Sequence, residues 1–374
     1  MKRAFTNGRL FDGDAIHDDR VLVVDDGRIA DLATALPADA AIVDLQGGLL
    51  APGFIDVQVN GGGGVLFNDN PSPAAIRRMQ TAHRRFGATG MLPTLISDSF
   101  TVMQAAAEAV RAIRTEPGSG ILGIHFEGPY LAEARKGAHG ADKIRPMDDA
   151  ALALFTADGL GQVVVTLAPE VVGSDAIARL TAAGVRVSAG HSAATYDDIR
   201  QALAAGLTGF THLFNAMTPL ESRAPGVVGA ALEDPNSWCG IIVDGHHVHP
   251  ASARVALAAK LAGRMMLVTD AMSAAGTDAT SFQLAGETVT VSDGRCTTAD
   301  GVLAGSNLDM ATAVRNTVEM LGLPLREALR MASLYPAGFL GLDQTRGRLA
   351  PGYVADLVLL DDTIHVQQTW IAGR

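Results

Sequence analysis

Cysteine and long apolar runs are scarce in this sequence of 374 residues. Its two cysteines, Cys239 and Cys296, form no C-x-x-C pair, which argues against a disulfide framework and against a thiolate metal site. No stretch of about 18 apolar residues is present, so the sequence predicts no membrane-spanning helix. The N-terminal segment lacks the apolar core of a signal peptide. Because two isolated thiols are typical of a reducing compartment, we expect a cytoplasmic protein.

Charge is also scarce, and positive charge is the scarcer sign. Charged residues make up 18% of the sequence, and 29 Lys and Arg against 40 Asp and Glu give a net charge of −11. No basic run is present, so we expect neither nucleic acid nor an anionic membrane as a partner. The apolar fraction of 48% is ordinary for a globular protein and excludes a mostly disordered chain.

Short apolar runs alternate with helical patterns through the middle of the sequence. One helix is clearly marked, with Ser72 as its N-cap, Pro73 in its first turn and Gly87 as its stop. Strand–helix alternation repeated eight times predicts an α/β protein, a (β/α)8 barrel of the TIM type. An open doubly wound sheet is the alternative. The eight runs are residues 54–59, 90–96, 121–127, 163–169, 185–191, 207–214, 238–244 and 265–270.

Both ends of the chain have the pattern of β structure. Residues 21–32 contain an Asp-Gly pair between two apolar runs, which is a hairpin signal, and residues 347–362 have an apolar run after a Pro-Gly turn. Thr/Val pairs and Asp-Gly turns near residues 281–303 predict a β-hairpin inserted after the eighth strand.

Polar side chains, most of them acidic or imidazole, stand at the C-terminal ends of several of the eight runs. In a barrel these ends meet at one mouth, where the catalytic residues of this fold lie. Buried charges are costly unless they are paired or bind a metal, so we expect a functional site there. The residues are Asp56, Gln58, Glu127, His191, His212, Asp244 and Asp270, with His246, His247 and His249 just beyond the seventh run.

Three of these residues have the chemistry of a metal site. Glu127, His191 and His212 provide one carboxylate and two imidazoles, a common shell for catalytic zinc that leaves a position for water. Asp270 suits a general base, although an Asp at this point also fits a helix cap. The same shell occurs in non-haem iron(II) oxygenases. The carboxylate-rich mouth and the additional Asp favour hydrolysis.

At these residues the sequence resembles the N-acetylglucosamine-6-phosphate deacetylases of the amidohydrolase superfamily. The resemblance runs nearly from end to end, and several motifs in the correct order are far more specific than any single one. The segments that carry it are residues 52–64, 125–131, 188–192, 211–217, 244–250, 267–276 and 303–306, with a C-terminal strand in 347–361.

The resemblance implies a catalytic barrel of residues 52–344 and a small β-sandwich domain of residues 1–51 plus 345–374. It implies a homodimer that hydrolyses N-acetylglucosamine 6-phosphate to glucosamine 6-phosphate and acetate, a reaction of amino-sugar metabolism. The N-acetylgalactosamine epimer and another amide substrate are the alternatives. One divalent metal per subunit is expected, with zinc first and iron(II) second. A non-catalytic sugar-phosphate sensor is the alternative from another class, against which the complete set of site residues argues.

The resemblance also implies a role for each matching residue. Glu127, His191 and His212 would hold the metal, Asp270 would be general base and acid, and His139 would polarise the acetyl carbonyl. Asn215, Ala216, His247 and Arg223 would bind the sugar phosphate, with Arg223 or His247 reaching across the dimer interface.

Gln58 and Asn60 stand where many amidohydrolases have His-x-His. Amides are poorer ligands than imidazoles, which favours one metal over two. We expect contacts of Gln58 and Asn60 with water or with the loop backbone.

Overall fold

The computed structural model describes residues 2–374, and its chain begins with β structure. The predicted hairpin is present, since β4 (Val21–Asp25) and β5 (Arg28–Ala33) pair antiparallel around Asp26 and Gly27, both with positive φ. The first seven strands are β1 (Arg3–Thr6), β2 (Arg9–Phe11), β3 (Ile16–His17), β4 (Val21–Asp25), β5 (Arg28–Ala33), β6 (Ala41–Asp44) and β7 (Leu49–Pro52).

The alternating part of the chain follows, and each of the eight predicted runs overlaps one strand. Its elements are β8 (Phe54–Val59), β9 (Gly61–Gly62), β10 (Val65–Leu66), α1 (Pro73–Arg84), β11 (Ala88–Ile96), α2 (Phe100–Ile113), β12 (Gly123–Glu127), two 3-10 turns (Glu133–Arg135 and Ala141–Lys143), α3 (Asp149–Phe155), β13 (Gln162–Leu167), α4 (Pro169–Val172), α5 (Ser174–Ala182), β14 (Arg186–Ala189), α6 (Tyr196–Ala204), β15 (Gly209–Phe210), α7 (Gly226–Glu233), β16 (Trp238–Ile241), α8 (Pro250–Ala259) and β17 (Met265–Leu267).

The eight parallel strands neighbour one another in chain order, β17-β16-β15-β14-β13-β12-β11-β8. A parallel bridge between Val59 and Ala271 brings the two end strands together. The N–H of Asp270 also donates to the carbonyl of Gln58 at 3.0 Å. An open doubly wound sheet reverses its strand order at a switch point, and this sheet does not. The predicted barrel is therefore confirmed.

Local signals set the helix boundaries as predicted. Ser72 caps α1 by accepting the N–H of Ala75 at 3.2 Å, and Pro73 is the first helical residue. A proline tolerates this position because the first N–H groups of a helix have no partner within it. Thr195 and Asp198 form a capping box at the start of α6.

The inserted segment after β17 is larger than the hairpin expected from the sequence. It is a four-stranded antiparallel sheet in which the strands pair in chain order: β19 (Glu287–Ser292) pairs with β20 (Arg295–Thr297), and β20 pairs with β21 (Leu303–Ser306). Met272, Leu284 and Val289 form a hydrophobic cluster of their own with neighbours that include Leu66. The strands are β18 (Ser281–Leu284), β19 (Glu287–Ser292), β20 (Arg295–Thr297) and β21 (Leu303–Ser306).

The last segment returns to the first strands. It consists of α9 (Met310–Glu319), α10 (Leu325–Ala332), α11 (Leu334–Leu340), β22 (Leu357–Leu360) and β23 (Val366–Trp370). Because β22 pairs with β7, both ends of the chain share one sheet, β23-β22-β7-β2-β3, and a second sheet has the order β5-β4-β1-β6. Phe5, Leu50, Leu357 and Trp370 belong to a separate core there. The predicted β-sandwich beside a barrel is thus confirmed, whereas the boundaries at 51/52 and 344/345 stay a prediction.

Within residues 2–374, no helix combines the length and the apolar character needed to cross a membrane.

Candidate active site

The C-terminal ends of the barrel strands surround a cavity of about 520 Å³. Glu127 ends β12, His191 and His212 each follow their strands by two residues, and Asp270 follows β17 by three. His139 reaches the same cavity from the loop after β12. The structure therefore brings the predicted metal-binding and catalytic side chains together in one cavity.

Three donor atoms converge within this cavity. The Oε1 of Glu127 lies 3.1 Å from the Nε2 of His191 and 2.9 Å from that of His212, and the two Nε2 atoms are 3.0 Å apart. Atoms that bind one tetrahedral zinc at ~2.0–2.2 Å lie roughly 3.3 Å from each other. The donor set therefore fits a divalent cation in both chemistry and spacing.

The backbone sets the tautomer of one of these imidazoles. The Nδ1 of His191 lies 2.9 Å from the carbonyl oxygen of Arg135, so it must donate a hydrogen there. The Nε2 of a neutral ring then keeps its lone pair, as a metal ligand requires. The Nδ1 of His212 is buried without a partner among the described residues.

His139 belongs to a second set of nearby donors with Glu127 and His191, all within 4.8 Å of one another. Its Nδ1 accepts the backbone N–H of Ser97 at 3.2 Å. Burial lowers the pKa of His139 to about 3, so the ring is neutral. A neutral imidazole that accepts at Nδ1 carries its hydrogen on Nε2, so the geometry suits His139 as a hydrogen-bond donor better than as a ligand.

The two site carboxylates ionise differently. Burial opposes ionisation of Glu127, but the adjacent imidazoles of His191 and His212 outweigh it and hold the pKa of Glu127 well below its usual range. Burial raises the pKa of Asp270 to about 6, and the negative charge of Glu127 adds to this rise. One carboxylate is thus always charged, while the other can exchange a proton near neutral pH.

Gln58 and Asn60 bind the carboxylates rather than the loop backbone. The Nε2 of Gln58 donates to Glu127 at 3.0 Å and to Asp270 at 3.1 Å. The Nδ2 of Asn60 donates to Asp270 at 2.6 Å. The amides therefore separate two acidic groups that would otherwise repel each other, and they orient the carboxylate of Asp270.

Backbone strain is concentrated around the cavity. His191, His212, Phe214, Ala216 and Asp270 all have positive φ values, between +32° and +79°. Side-chain-bearing residues rarely adopt this region, and its strain persists only where surrounding structure imposes it. The strand ends are thus held in the conformations that direct these side chains inward.

The predicted substrate-binding residues separate into two places. Asn215, Ala216 and His247 line the active cavity, and Asp244 orients His247 through a 2.6 Å contact with its Nδ1. Arg223 instead lines an adjoining cavity of about 650 Å³. Both cavities share Arg135, but a single chain does not bring Arg223 to the metal-binding side chains.

Several cavity residues were not found by reasoning from single motifs. Arg135 and Ala138 come from the loop after β12, Met272 from the loop after β17, and Leu303 and Gly305 from the insertion. Residues 267–276 and 303–306 are among the segments that carry the family resemblance, so a signal existed for Met272, Leu303 and Gly305. The others have no local pattern, because only the folded chain brings them to the cavity.

Comparison with known proteins decides the family. The sequence profile of the amidohydrolase family matches residues 49–374. An N-acetylgalactosamine-6-phosphate deacetylase of Shewanella sp. (strain ANA-3) is 45% identical over 376 residues, covering 100% of this chain and 94% of that protein. The chain belongs to the amidohydrolase family. Relatives at 37–45% identity are named N-acetylgalactosamine- or N-acetylglucosamine-6-phosphate deacetylases.

Two further amidohydrolase relatives carry the other epimer in their names. The N-acetylglucosamine-6-phosphate deacetylase of Haemophilus influenzae is 37% identical, over 89% of this chain and 87% of its own. The crystal structure of the corresponding enzyme from Pasteurella multocida superposes with a TM-score of 0.96 at 37% identity, over 100% of this chain and 99% of that one. The predicted family and fold are confirmed.

Proposed function

We propose that this amidohydrolase is a metal-dependent deacetylase that hydrolyses N-acetylglucosamine 6-phosphate to glucosamine 6-phosphate and acetate. The observation that carries the proposal is the convergence of Glu127, His191 and His212 beside Asp270 and His139 in one cavity. The names of the relatives and of the superposed structure support the substrate class.

Glu127, His191 and His212 would hold one divalent metal, zinc in the first instance and iron(II) in the second. Such a cation supplies Lewis acidity to the amide oxygen and lowers the pKa of water. Imidazole and carboxylate ligands suit both metals, so the donor set by itself does not choose between them.

Two side chains perform the proton and charge chemistry of amide hydrolysis. The Nε2–H of His139 donates to the acetyl oxygen as negative charge develops on it. Asp270 accepts the proton of the attacking water and transfers it to the amide nitrogen. A new C–O bond forms, the C–N bond breaks, and the products are acetate and the free amine.

The sugar phosphate would lie on the side of the cavity lined by Asn215, Ala216 and His247. Contacts there hold the amide in place, so that remote binding energy assists the reaction. We assign the remaining phosphate contact to Arg223 of a second copy of this chain in a homodimer. The adjoining cavity that contains Arg223 supports this assignment. His247 lines the cavity of its own chain, so it needs no partner.

A cytoplasmic location completes the proposal. Its support is that Cys239 and Cys296 are both buried free thiols, as expected in a reducing compartment.

The galactosamine epimer is a second candidate substrate. The 45% identity to a deacetylase named for N-acetylgalactosamine 6-phosphate favours it. The two sugars differ only in the direction of one hydroxyl group, so one cavity can accept both.

Steady-state kinetics on both sugar phosphates, with metal measured in the same preparation, test the proposal. We expect acetate release in proportion to bound metal, close to one ion per chain, and loss of activity with a chelator. A preparation that holds its metal and releases acetate from neither sugar would contradict the function and revive the sensor alternative.

A further inference from the structure

One side of the active cavity is apolar. Ile96, Ala138, Met272 and Leu284 all line it, and we call these four residues the acyl wall. They belong to one hydrophobic cluster, in which Met272 is 2% and Leu284 5% exposed. Three of its residues belong to the barrel and its loops, and Leu284, the last residue of β18, belongs to the inserted sheet.

The acyl wall lies beside the groups that would act on the amide. Ala138 precedes His139, and Met272 follows Asp270 by two residues. Ile96 precedes Ser97, whose backbone N–H is bound to His139. The wall is therefore attached through the backbone to both His139 and Asp270.

The wall also lies across the barrel from the proposed sugar-phosphate contacts. Ile96 ends β11, the second barrel strand, whereas Asn215 and Ala216 follow β15, the sixth. In a closed barrel of eight strands, the second and sixth strands are opposite each other. A substrate whose phosphate lies near Asn215 and Ala216 thus directs its far end to the acyl wall.

The amide carbon has three substituents, and two of them already have partners. The oxygen faces His139 and the donor set, and the nitrogen carries the sugar toward Asn215 and His247. The third substituent is the hydrocarbon of the acyl group. We propose that the acyl wall binds this hydrocarbon and determines which N-acyl amino-sugar phosphates are hydrolysed. This inference rests on the proposed function.

Gly305 fixes how far the wall projects into the cavity. A Cβ added at Gly305 would lie 2.4 Å from the Cγ of Met272 and 2.5 Å from its Sδ. The side chain of Met272 therefore packs directly on the Gly305 backbone, which has a φ of +61°. With Met272 held in this way, its methionine side chain sets the depth available to an acyl group.

The test is a series of N-formyl, N-acetyl, N-propionyl and N-butyryl substrates on the same amino-sugar 6-phosphate, with release of the free amine measured. For the unmodified chain we expect kcat/KM to fall about 10-fold with each methylene beyond acetyl. In Met272→Ala, the ratio of kcat/KM for butyryl to that for acetyl should rise about 10-fold. Leu284→Ala provides a second variant, with a rise in the same direction.

Met331→Ala is the matched control. Met331 is fully buried in α10 and does not line the cavity, so the same truncation there should leave the ratio unchanged. An unchanged ratio in a folded, metal-bound Met272→Ala or Leu284→Ala would overturn the acyl wall while leaving the proposed function intact. A chain that releases amine from no member of the series would overturn both.

Discussion

Glu127 and Asp270 are carboxylates of one cavity that ionise in opposite senses. Both are buried, but only Glu127 lies directly against the imidazoles of His191 and His212, which keep its pKa low. Asp270 is left with two amide donors and the repulsion of Glu127, and burial raises its pKa to about 6. Two acidic groups with separated pKa values suit separate roles, and we propose a permanent anion for Glu127 and a proton carrier for Asp270.

Replacing Asp270 with Asn tests the second role. The amide cannot accept the proton of water, so we expect kcat to fall by about 10²–10⁴-fold. Bound metal, measured in the same preparation, should remain, since the converging donors are on Glu127, His191 and His212. The exposed Asp278→Asn is a control that should keep full turnover. Near-normal turnover of Asp270→Asn with bound metal would contradict the assignment.

The position of Asp270 depends on the contact between β8 and β17, the first and last strands of the barrel. An isolated bridge between Val59 and Ala271 and a few backbone hydrogen bonds join the two strands, and side chains add to this contact. Asp56 accepts the hydroxyl of Thr269 at 2.5 Å and the backbone N–H groups of Gln58 and Thr269 at 3.2 and 3.3 Å. Thr269 precedes Asp270, so this buried carboxylate helps to hold the proposed general base in place.

The same carboxylate makes stability depend on pH. Burial raises the pKa of Asp56 from 3.8 to about 7, so between these values the folded chain binds a proton that the unfolded chain has lost. Asp56 therefore contributes most to the free energy of unfolding at acidic pH. This contribution declines by at most about 1.4 kcal/mol per pH unit up to about pH 7 and is constant at higher pH.

Asp56→Asn removes this titration. Urea unfolding of both proteins across this pH range gives the free energy of unfolding of each. We expect the native value minus the variant value to shrink as the pH rises to about 7 and then to level off. Parallel pH profiles would contradict the assignment of Asp56. The variant's metal content shows whether the site has survived the change.

For the whole molecule, the net charge of −11 and an anionic substrate are compatible, because one phosphate needs only a local group of donors. Within one chain, however, the cation Arg223 lies outside the active cavity. The proposed dimer resolves this by placing Arg223 of one copy at the cavity of the other.

Co-expressed chains of two kinds test that arrangement. Asp270→Asn and Arg223→Ala should each be weakly active alone. In the mixed dimer, the Arg223→Ala chain keeps its own Asp270 and receives Arg223 from its partner. We expect about half of the native activity per dimer to return. Activity that stays at the level of the single variants, in a verified mixed dimer, would place Arg223 at its own chain's site or away from substrate.

Much of the architecture follows from local patterns. Each of the eight barrel strands overlaps one of the eight apolar runs, and Ser72 and Pro73 begin α1 as expected. Strand alternation and helix caps depend on neighbouring residues alone, which is why the sequence suffices for them. The insertion exceeded its prediction: the Asp-Gly turns at residues 293–294 and 300–301 are present, but they join four paired strands rather than one hairpin.

The sequence by itself determined the barrel, its terminal β strands and the kinds of side chain at its mouth, because these are written in periodicity and in motifs. Only the tertiary structure decided what those side chains do to one another. In the folded chain the amide of Gln58 donates to both carboxylates, and Ser97 determines which nitrogen of His139 carries the hydrogen. Arg223 lies in a separate cavity, and Met272 packs on Gly305. These outcomes depend on contacts between residues far apart in the chain, and local sequence patterns do not encode such distances.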